Sequence, residues 1–272
     1  MDERENMRHW EENAADWVRL ARRGFDTSRD LVNSPAFFAL LPDVRGLHGL
    51  DIGCGEGHNT RATADRGARM TALDVTWGMV QPAAAHERQE PRGVRYVRGS
   101  GAALPFGDGA FDFVVAFMSL MDMPDHARVL AEVHRVLRPG GFFQLSMTHP
   151  CFQTPLWEWL RDADGRRRAI VCGDYFRELR GEIEEWSFGA ALRAGETQRP
   201  FRIPRFTHTL STWLNLFLDA GFVLERFVEP TVDDATLAAH PGELYDARII
   251  AYFLTMRVRK PGQNKQQEIE RS

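Results

Sequence analysis

The sequence predicts a doubly wound α/β fold: a seven-stranded, mostly parallel sheet with helices on both faces. Three observations carry this reading. Short apolar runs alternate with stretches of helical periodicity from about residue 47 to residue 147. The first apolar run ends in a cluster of glycines, where a strand would hand over to a helix. The run at 111–117, Phe-Asp-Phe-Val-Val-Ala-Phe, has the apolar density of a central parallel strand covered on both faces.

Residues from about 5 to 41 read as helices that precede the sheet. Trp10, Ala14, Trp17, Val18 and Ala21 recur at helical spacing, and Gly24 is a stop signal. Ser34-Pro35 reads as an N-cap with proline at the first helical position, opening a short helix to Leu41. Strands then follow at 47–52, 68–75, 94–98, 111–117 and 142–147. Helices are expected at 60–66, at 78–90 and at 125–137. Pro82 is expected to kink or delay the second of these, and Arg138-Pro139-Gly140-Gly141 to stop the third.

From Pro150 to Phe206 the alternation is lost, and aromatic residues mix with charges in a long irregular segment, the kind that often carries function. Regular pattern returns with a helix at 210–220 closed by Gly221, a strand at 222–228 and a last strand at 248–258. The expected organisation is an N-terminal helical lid (1–42), a sheet-bearing core (43–149 and 207–258), an aromatic-rich cap insertion that binds an acceptor (150–206) and a disordered polar tail (259–272).

Composition narrows the function classes. The 272 residues are 43% hydrophobic and 26% charged, ordinary for a globular chain, and the net charge is −4. A mildly acidic chain whose only tight basic run is Arg166-Arg167-Arg168 is not expected to bind nucleic acid. Three scattered cysteines, Cys54, Cys151 and Cys172, suit neither a disulfide framework nor a metal site, so no metal is expected. They fit a reducing, cytoplasmic compartment. No apolar run reaches the roughly 18–20 residues of a membrane helix, and residues 1–12 lack the apolar core of a signal peptide. A monomer or a homodimer is expected.

The chemistry concentrates in Leu50-Asp51-Ile52-Gly53-Cys54-Gly55-Glu56-Gly57. Glycines at a strand-to-helix junction permit a tight turn and close approach of backbone to a ligand. Asp74 lies at the end of the second strand, where a carboxylate accepts both hydroxyls of a ribose. Dinucleotide sites use Gly-x-Gly-x-x-Gly. Here the spacing at Gly53, Gly55 and Gly57 is Gly-x-Gly-x-Gly, preceded by Asp51, whose charge would repel a diphosphate and suit a ligand with a cationic end.

Residues 50–57 resemble motif I of the class I S-adenosylmethionine-dependent methyltransferases, which are built on a Rossmann-like sheet. The resemblance extends through residues 72–79, Gly99-Ser100-Gly101-Ala102, Phe111-Asp112-Phe113-Val114-Val115 and the turn at 135–141. Segments like residues 10–41, 148–152 and 208–211 are similar to bacterial small-molecule methyltransferases of the UbiE-like type. The resemblance implies S-adenosylmethionine as cofactor, with S-adenosylhomocysteine as product. It implies contacts from Asp51, Gly53, Gly55, Gly57, Asp74, Val75, Thr76, Met79, Ser100, Gly101, Ala102 and Phe117. Trp10 and Trp17 are expected to shield the sulfonium with their ring faces. The chain departs from the family at Ser100, where aspartate is usual and a charge-assisted bond to the adenine amino group is therefore lost.

Methyl transfer needs an acceptor held in line with the S–CH3 bond, and such positioning supplies as much as about 7–11 kcal/mol. A hydroxyl or ring N–H acceptor gains a further ~10²–10⁴ from a base. His149 is the first candidate, because it follows the fifth strand at the carboxyl edge of the sheet; Tyr175 and His208 are further candidates. The aromatic cap points to a small, flat, uncharged acceptor bound at an O or N atom. Other readings are methylation of a tRNA or protein side chain, for which no basic groove is visible, and a non-catalytic binder of the same cofactor, which Ser100 would suit. A nicotinamide-dependent dehydrogenase is opposed by the glycine spacing and Asp51.

Overall fold

A computed structural model of the protein describes residues 1–197, 199–240 and 244–262. Its centre is a seven-stranded sheet assembled from β1 (His48–Ile52), β2 (Arg69–Asp74), β3 (Arg95–Arg98), β4 (Phe111–Phe117), β5 (Leu137–Thr148), β10 (Val223–Val228) and β11 (Phe253–Arg259). Their spatial order is β10-β11-β5-β4-β1-β2-β3. The pairs β1–β2, β1–β4, β2–β3 and β4–β5 are parallel, and β11 runs antiparallel to both its neighbours. The chain moves outward from β1 to β3 on one side and from β4 to β5 on the other. The switch point therefore lies between β1 and β4, and a crevice opens there at the strands' carboxyl ends.

Period-two alternation divides the strands between two cores. On one face Leu50, Ile52, Val114, Ala116, Phe143, Leu145 and Met256 pack with Val129, Leu130 and Val133 of α5 (His126–Val136) and with Trp213 and Phe217 of α7 (Leu210–Asp219). On the other face Met70, Ala72, Phe113 and Val115 pack with Phe37 of α2 (Ser34–Leu40). Removing one of these fully buried rings, Phe113 for instance, is expected to cost about 3–5 kcal/mol.

The first helix, α1 (Glu3–Arg22), packs against the helix that follows β2. Asp2 caps it, and its Glu11 carboxylate accepts from the N–H groups of Trp77 and Gly78, both at 2.8 Å. That bond pair ties α1 to the first turn of α4 (Trp77–Gln89), where a negative charge suits the helix dipole. Held this way, α4 begins ahead of Pro82, so the proline does not delay it. Between β1 and β2 runs α3 (His58–Ala64), two residues earlier than its periodicity suggested.

Several expectations are corrected. Ser34 is not an N-cap: a π-helical turn at Arg29–Asn33 runs straight into α2, so Ser34 is already helical. The Arg138-Pro139-Gly140-Gly141 turn belongs to β5, where Leu137 pairs with Phe111 across a register shift and Gly140 takes φ +80°. The segment at 150–206 is not irregular. It folds as two antiparallel hairpins, β6 (Leu156–Arg161) with β7 (Arg167–Gly173), and β8 (Arg180–Trp186) with β9 (Phe201–Phe206). The helix α6 (Gly189–Arg193) lies between β8 and β9. In β6 the outward face carries Leu156 and Leu160 beside Glu158, which hid the alternation.

A further helix, α8 (Asp234–Ala239), and a 3₁₀ turn at Tyr245–Arg248 precede β11, which starts at Phe253 rather than at 248. Salt bridges Arg167–Asp246 and Arg248–Asp234 fix that turn. Nor does a disordered tail begin at 259. Arg259 closes β11, and the Lys260 ammonium donates to the carbonyls of His134 and Leu137 at 2.8 Å. The rest of the expected tail, 263–272, lies outside the described residues. No helix among the described residues is long and apolar enough to cross a membrane.

Candidate functional site

The crevice at the switch point opens into a cavity of about 1530 Å³ that continues beneath α1 and the two hairpins. Its floor is built from strand ends. After Ile52 the chain turns at Gly53 (φ +69°) and Gly55 (φ +54°). The N–H groups of Gly53 and Cys54 both donate to the Leu73 carbonyl, at 2.7 and 3.0 Å, which seats the turn on the end of β2. Gly53 cannot carry a side chain, because a Cβ there would lie 2.5 Å from the Cβ of Ser119, whose hydroxyl donates to the Ile52 carbonyl at 2.6 Å. A Cβ on Gly55, by contrast, would meet nothing within 4 Å, so its free face opens on the cavity.

Asp74 organises the turn. One carboxylate oxygen accepts from the Gly55 N–H at 3.0 Å, and the other from the N–H and hydroxyl of Thr76 at 2.9 and 2.8 Å. Burial pushes its pKa up against the pull of those donors. Asp51 lies deeper, 1% exposed. One of its oxygens accepts from the Thr60 hydroxyl at 2.5 Å, and the other is buried without a partner. Desolvation pushes its carboxyl up to about 7.

Most residues singled out in the sequence reach this cavity. Trp10, Trp17, Asp51, Gly53, Gly55, Asp74, Val75, Thr76, Met79, Gly101, Ala102 and Phe117 line it. Gly57 does not; it caps α3 at φ +86°, and a Cβ there would lie 2.3 Å from the Tyr96 hydroxyl, so the glycine serves packing behind the turn. Ser100 is also off the wall. Its hydroxyl donates to the Glu3 carboxylate of α1 and accepts from the Ala102 N–H at 3.0 Å. Glu3 itself lines the cavity. Trp17 packs among Trp10, Trp186, Phe188 and Phe201, with ring centroids 5.0–5.6 Å away, so it joins α1 to the second hairpin as well as facing inward.

None of the three expected bases lines this cavity. His149 is 3% exposed and has both ring nitrogens engaged: Nδ1 accepts from the Cys151 N–H at 3.2 Å, which leaves Nε2 to donate to Glu229 at 2.9 Å. Burial lowers its pKa. Tyr175 and His208 line a small cleft that adjoins the cavity and shares Met121, Thr148, Gln153 and Phe206 with it. The Tyr175 hydroxyl accepts from the Leu210 N–H at 2.7 Å, and burial raises its pKa. His208 sits between His126 at 3.0 Å and Glu178 at 2.9 Å, both of its nitrogens occupied.

Sequence reasoning missed several wall residues. Arg29, in the π-helical turn, holds Asp30 at 2.7 Å and Glu56 at 3.7 Å and faces the cavity near the glycine turn. Asp122 and Met123, just past β4, form the wall beside Gly53 and Gly101. The position after a central strand was the available signal for them. Trp157, Trp159 and Tyr252 also line the cavity; the Trp159 and Tyr252 ring centroids are 5.9 Å apart, and the Arg167 guanidinium lies 4.9 Å from the Trp159 ring centroid. Among the described residues no cluster of His, Cys, Asp and Glu could hold a metal.

Comparison with known proteins agrees with this geometry. Residues 50–145 match a methyltransferase domain family. The solved structure of an S-adenosylmethionine-dependent methyltransferase from Mesorhizobium loti is 30% identical, with a TM-score of 0.68 over 83% of this chain and 96% of that one. Among curated relatives, a malonyl-[acyl-carrier protein] O-methyltransferase of Pectobacterium atrosepticum is 35% identical over 38% of this chain and 39% of its own. A fatty-acid O-methyltransferase of Mycolicibacterium smegmatis is 36% identical over 44% of each chain. The chain thus spans less than half the length of these two curated relatives.

Proposed function

The chain belongs to the S-adenosylmethionine-dependent methyltransferases, and from that premise we propose that it methylates an O or N atom of a small, flat, largely apolar molecule, in the manner of the UbiE-like small-molecule enzymes. The observation that carries this reading is one cavity lined by two unlike sets of residues. Its strand-end floor offers Asp51, Gly55 and Asp74, and its wall also carries Trp157, Trp159 and Tyr252. A polar, partly cationic cofactor suits the first and an aromatic acceptor the second.

The residues present fit the cofactor. The unpartnered buried oxygen of Asp51 is suited to an ammonium, and the Arg29 guanidinium to a carboxylate. Gly55 leaves open space for close approach of a ligand to its backbone. Asp74 is pre-oriented by three donors, so its remaining lone pairs are aimed without further loss of side-chain freedom. When bound, S-adenosylmethionine supplies a methyl group already activated on a sulfonium, so the protein's share is to bind, orient and exclude water. Residues 1–42 would act as a lid through Trp10 and Trp17, and the two hairpins as the acceptor-binding cap.

The test is to incubate the protein with methyl-labelled S-adenosylmethionine and two acceptor panels, one of phenols and ring N–H heterocycles, the other of medium-chain fatty acids. Label transfer to the first supports the reading. Transfer only to the second would assign the acceptor site to carboxylates instead.

A further inference from the structure

None of the three expected bases is on the cavity wall, so another group is needed there to take the acceptor's proton if the acceptor is a hydroxyl or N–H. We propose that Asp122 is the general base for the acceptor; this rests on the methyltransferase reading above and names a catalytic residue within it.

Four observations converge on Asp122. It sits in the 3₁₀ turn Leu120–Asp122, directly after β4 at the switch point. The turn is fixed on both sides: Met118 takes φ +51°, the Ser119 hydroxyl bonds the Ile52 carbonyl, and the Asp122 carbonyl accepts from the Asn6 amide of α1 at 2.8 Å. Its neighbour Met123 fills the gap between the two glycine-bearing loops, its sulfur 2.9 Å from where a Gly101 Cβ would be and its methyl 3.2 Å from where a Gly53 Cβ would be. Asp122 is thereby held on the cavity wall beside the glycine turn.

The fourth observation is the state of its carboxylate. None of the hydrogen bonds or ion pairs described for this protein ends on it, yet it lines the cavity. Several other carboxylates of the wall are engaged: Asp74 by Thr76 and Gly55, Glu56 by Arg22 and Arg29, Asp246 by Arg167. Asp51 keeps one free oxygen, which the cofactor reading sets against an ammonium. The charge that acts on Asp122 is Arg205 of β9, whose guanidinium is held at 3.3 Å by Glu184 of β8 and at 2.7 Å by the Gln153 carbonyl. From α1 the contact is the uncharged Asn6, and nearby His126 is kept neutral by burial, its pKa pushed down to about 3. Burial pushes the Asp122 carboxyl well above the usual range, the direction a base working near neutrality requires.

In the step, a lone pair on the acceptor oxygen or nitrogen forms the bond to the methyl carbon. The C–S bond breaks with its electrons going to sulfur, and the acceptor's proton passes to the Asp122 carboxylate. The carboxylic acid then returns its proton to solvent, and no oxidant, reductant or metal enters the balance.

The test compares wild type, Asp122→Asn and Asp122→Glu, using S-adenosylhomocysteine titration and label transfer to phenols of graded acidity. The proposal expects unchanged S-adenosylhomocysteine affinity in D122N and a turnover loss of about 10²–10⁴-fold on weakly acidic phenols. It expects little loss on nitrophenols already ionised, partial recovery in D122E, and loss of the acid limb of the pH–rate profile in D122N. A carboxyl-carbon NMR resonance missing from D122N should titrate above the ordinary aspartate range in wild type. Equal turnover and pH profile in D122N, or a resonance titrating at or below that range, would overturn it. Wild-type protein that binds S-adenosylhomocysteine but methylates no phenol or heterocycle overturns the acceptor class, and with it this role. Failure of wild type to bind S-adenosylhomocysteine would instead overturn the cofactor reading.

Discussion

The backbone N–H of Gly55 donates to the carboxylate of Asp74 across 3.0 Å, joining the first strand's glycine turn to the end of the second strand. Residues nineteen apart in sequence are thereby set as one surface. Asp74→Ala should weaken S-adenosylhomocysteine binding at least tenfold, the ~1.4 kcal/mol expected for a hydrogen bond to a charged group. Calorimetric titration of the folded variant checks this; unchanged affinity would remove Asp74 from the binding surface.

Asp51 should couple cofactor binding to pH. Its carboxyl is pushed up to about 7 by burial. A cofactor ammonium beside it would favour the anion, so binding near neutrality should release a fraction of a proton. Titrations in buffers of different ionisation enthalpy measure that number, and affinity should rise from pH 6 to 8. The stability effect has the opposite sign. A folded pKa above the unfolded one gives stabilisation that is full below the unfolded value and lost as pH rises through about 7. Asp51→Asn should abolish the proton release.

How much was legible in the sequence depended on periodicity. The strands of the doubly wound core showed themselves because both faces are buried, as in the unbroken apolar run of β4. The hairpin β6–β7 did not, because Trp157 and Trp159 face the cavity while Leu156 and Leu160 stay more than half or half exposed, so no polar face marks the alternation. Gly53, Gly55 and Asp74 were readable as local chemistry in order along the chain. Asp122, Arg29 and the engagement of His149 were not, since each depends on partners or walls far away in sequence, such as Glu229 eighty residues from His149.

Ser100 stands where the resemblance implies aspartate, and its hydroxyl donates to Glu3 of α1. A carboxylate at 100 would face the Glu3 carboxylate, and like charges would push α1 from the third-strand loop. Ser100→Asp should weaken S-adenosylhomocysteine binding in the native background and not in Glu3→Gln. A double-mutant cycle should show coupling of at least about 0.5 kcal/mol; additive effects would separate the two residues.

His149→Ala is expected to act on stability, not on the site. Loss of a buried, doubly bonded ring should cost about 1–3 kcal/mol in urea unfolding while S-adenosylhomocysteine affinity stays within about twofold. Burial lowers the folded pKa of His149, so its contribution is present above the unfolded value of about 6.5 and is lost as pH falls through the folded one. The gap between wild type and variant should therefore narrow below pH ~6.5. A variant of full stability whose turnover is impaired would return His149 to the catalytic site.

The central claim, that the strand-end floor holds S-adenosylmethionine, is tested most directly by calorimetric titration of the wild-type protein with S-adenosylhomocysteine, with NAD as control. The account predicts one-to-one micromolar binding of S-adenosylhomocysteine and none of NAD. No heat from S-adenosylhomocysteine, or equal affinity for the dinucleotide, would contradict it.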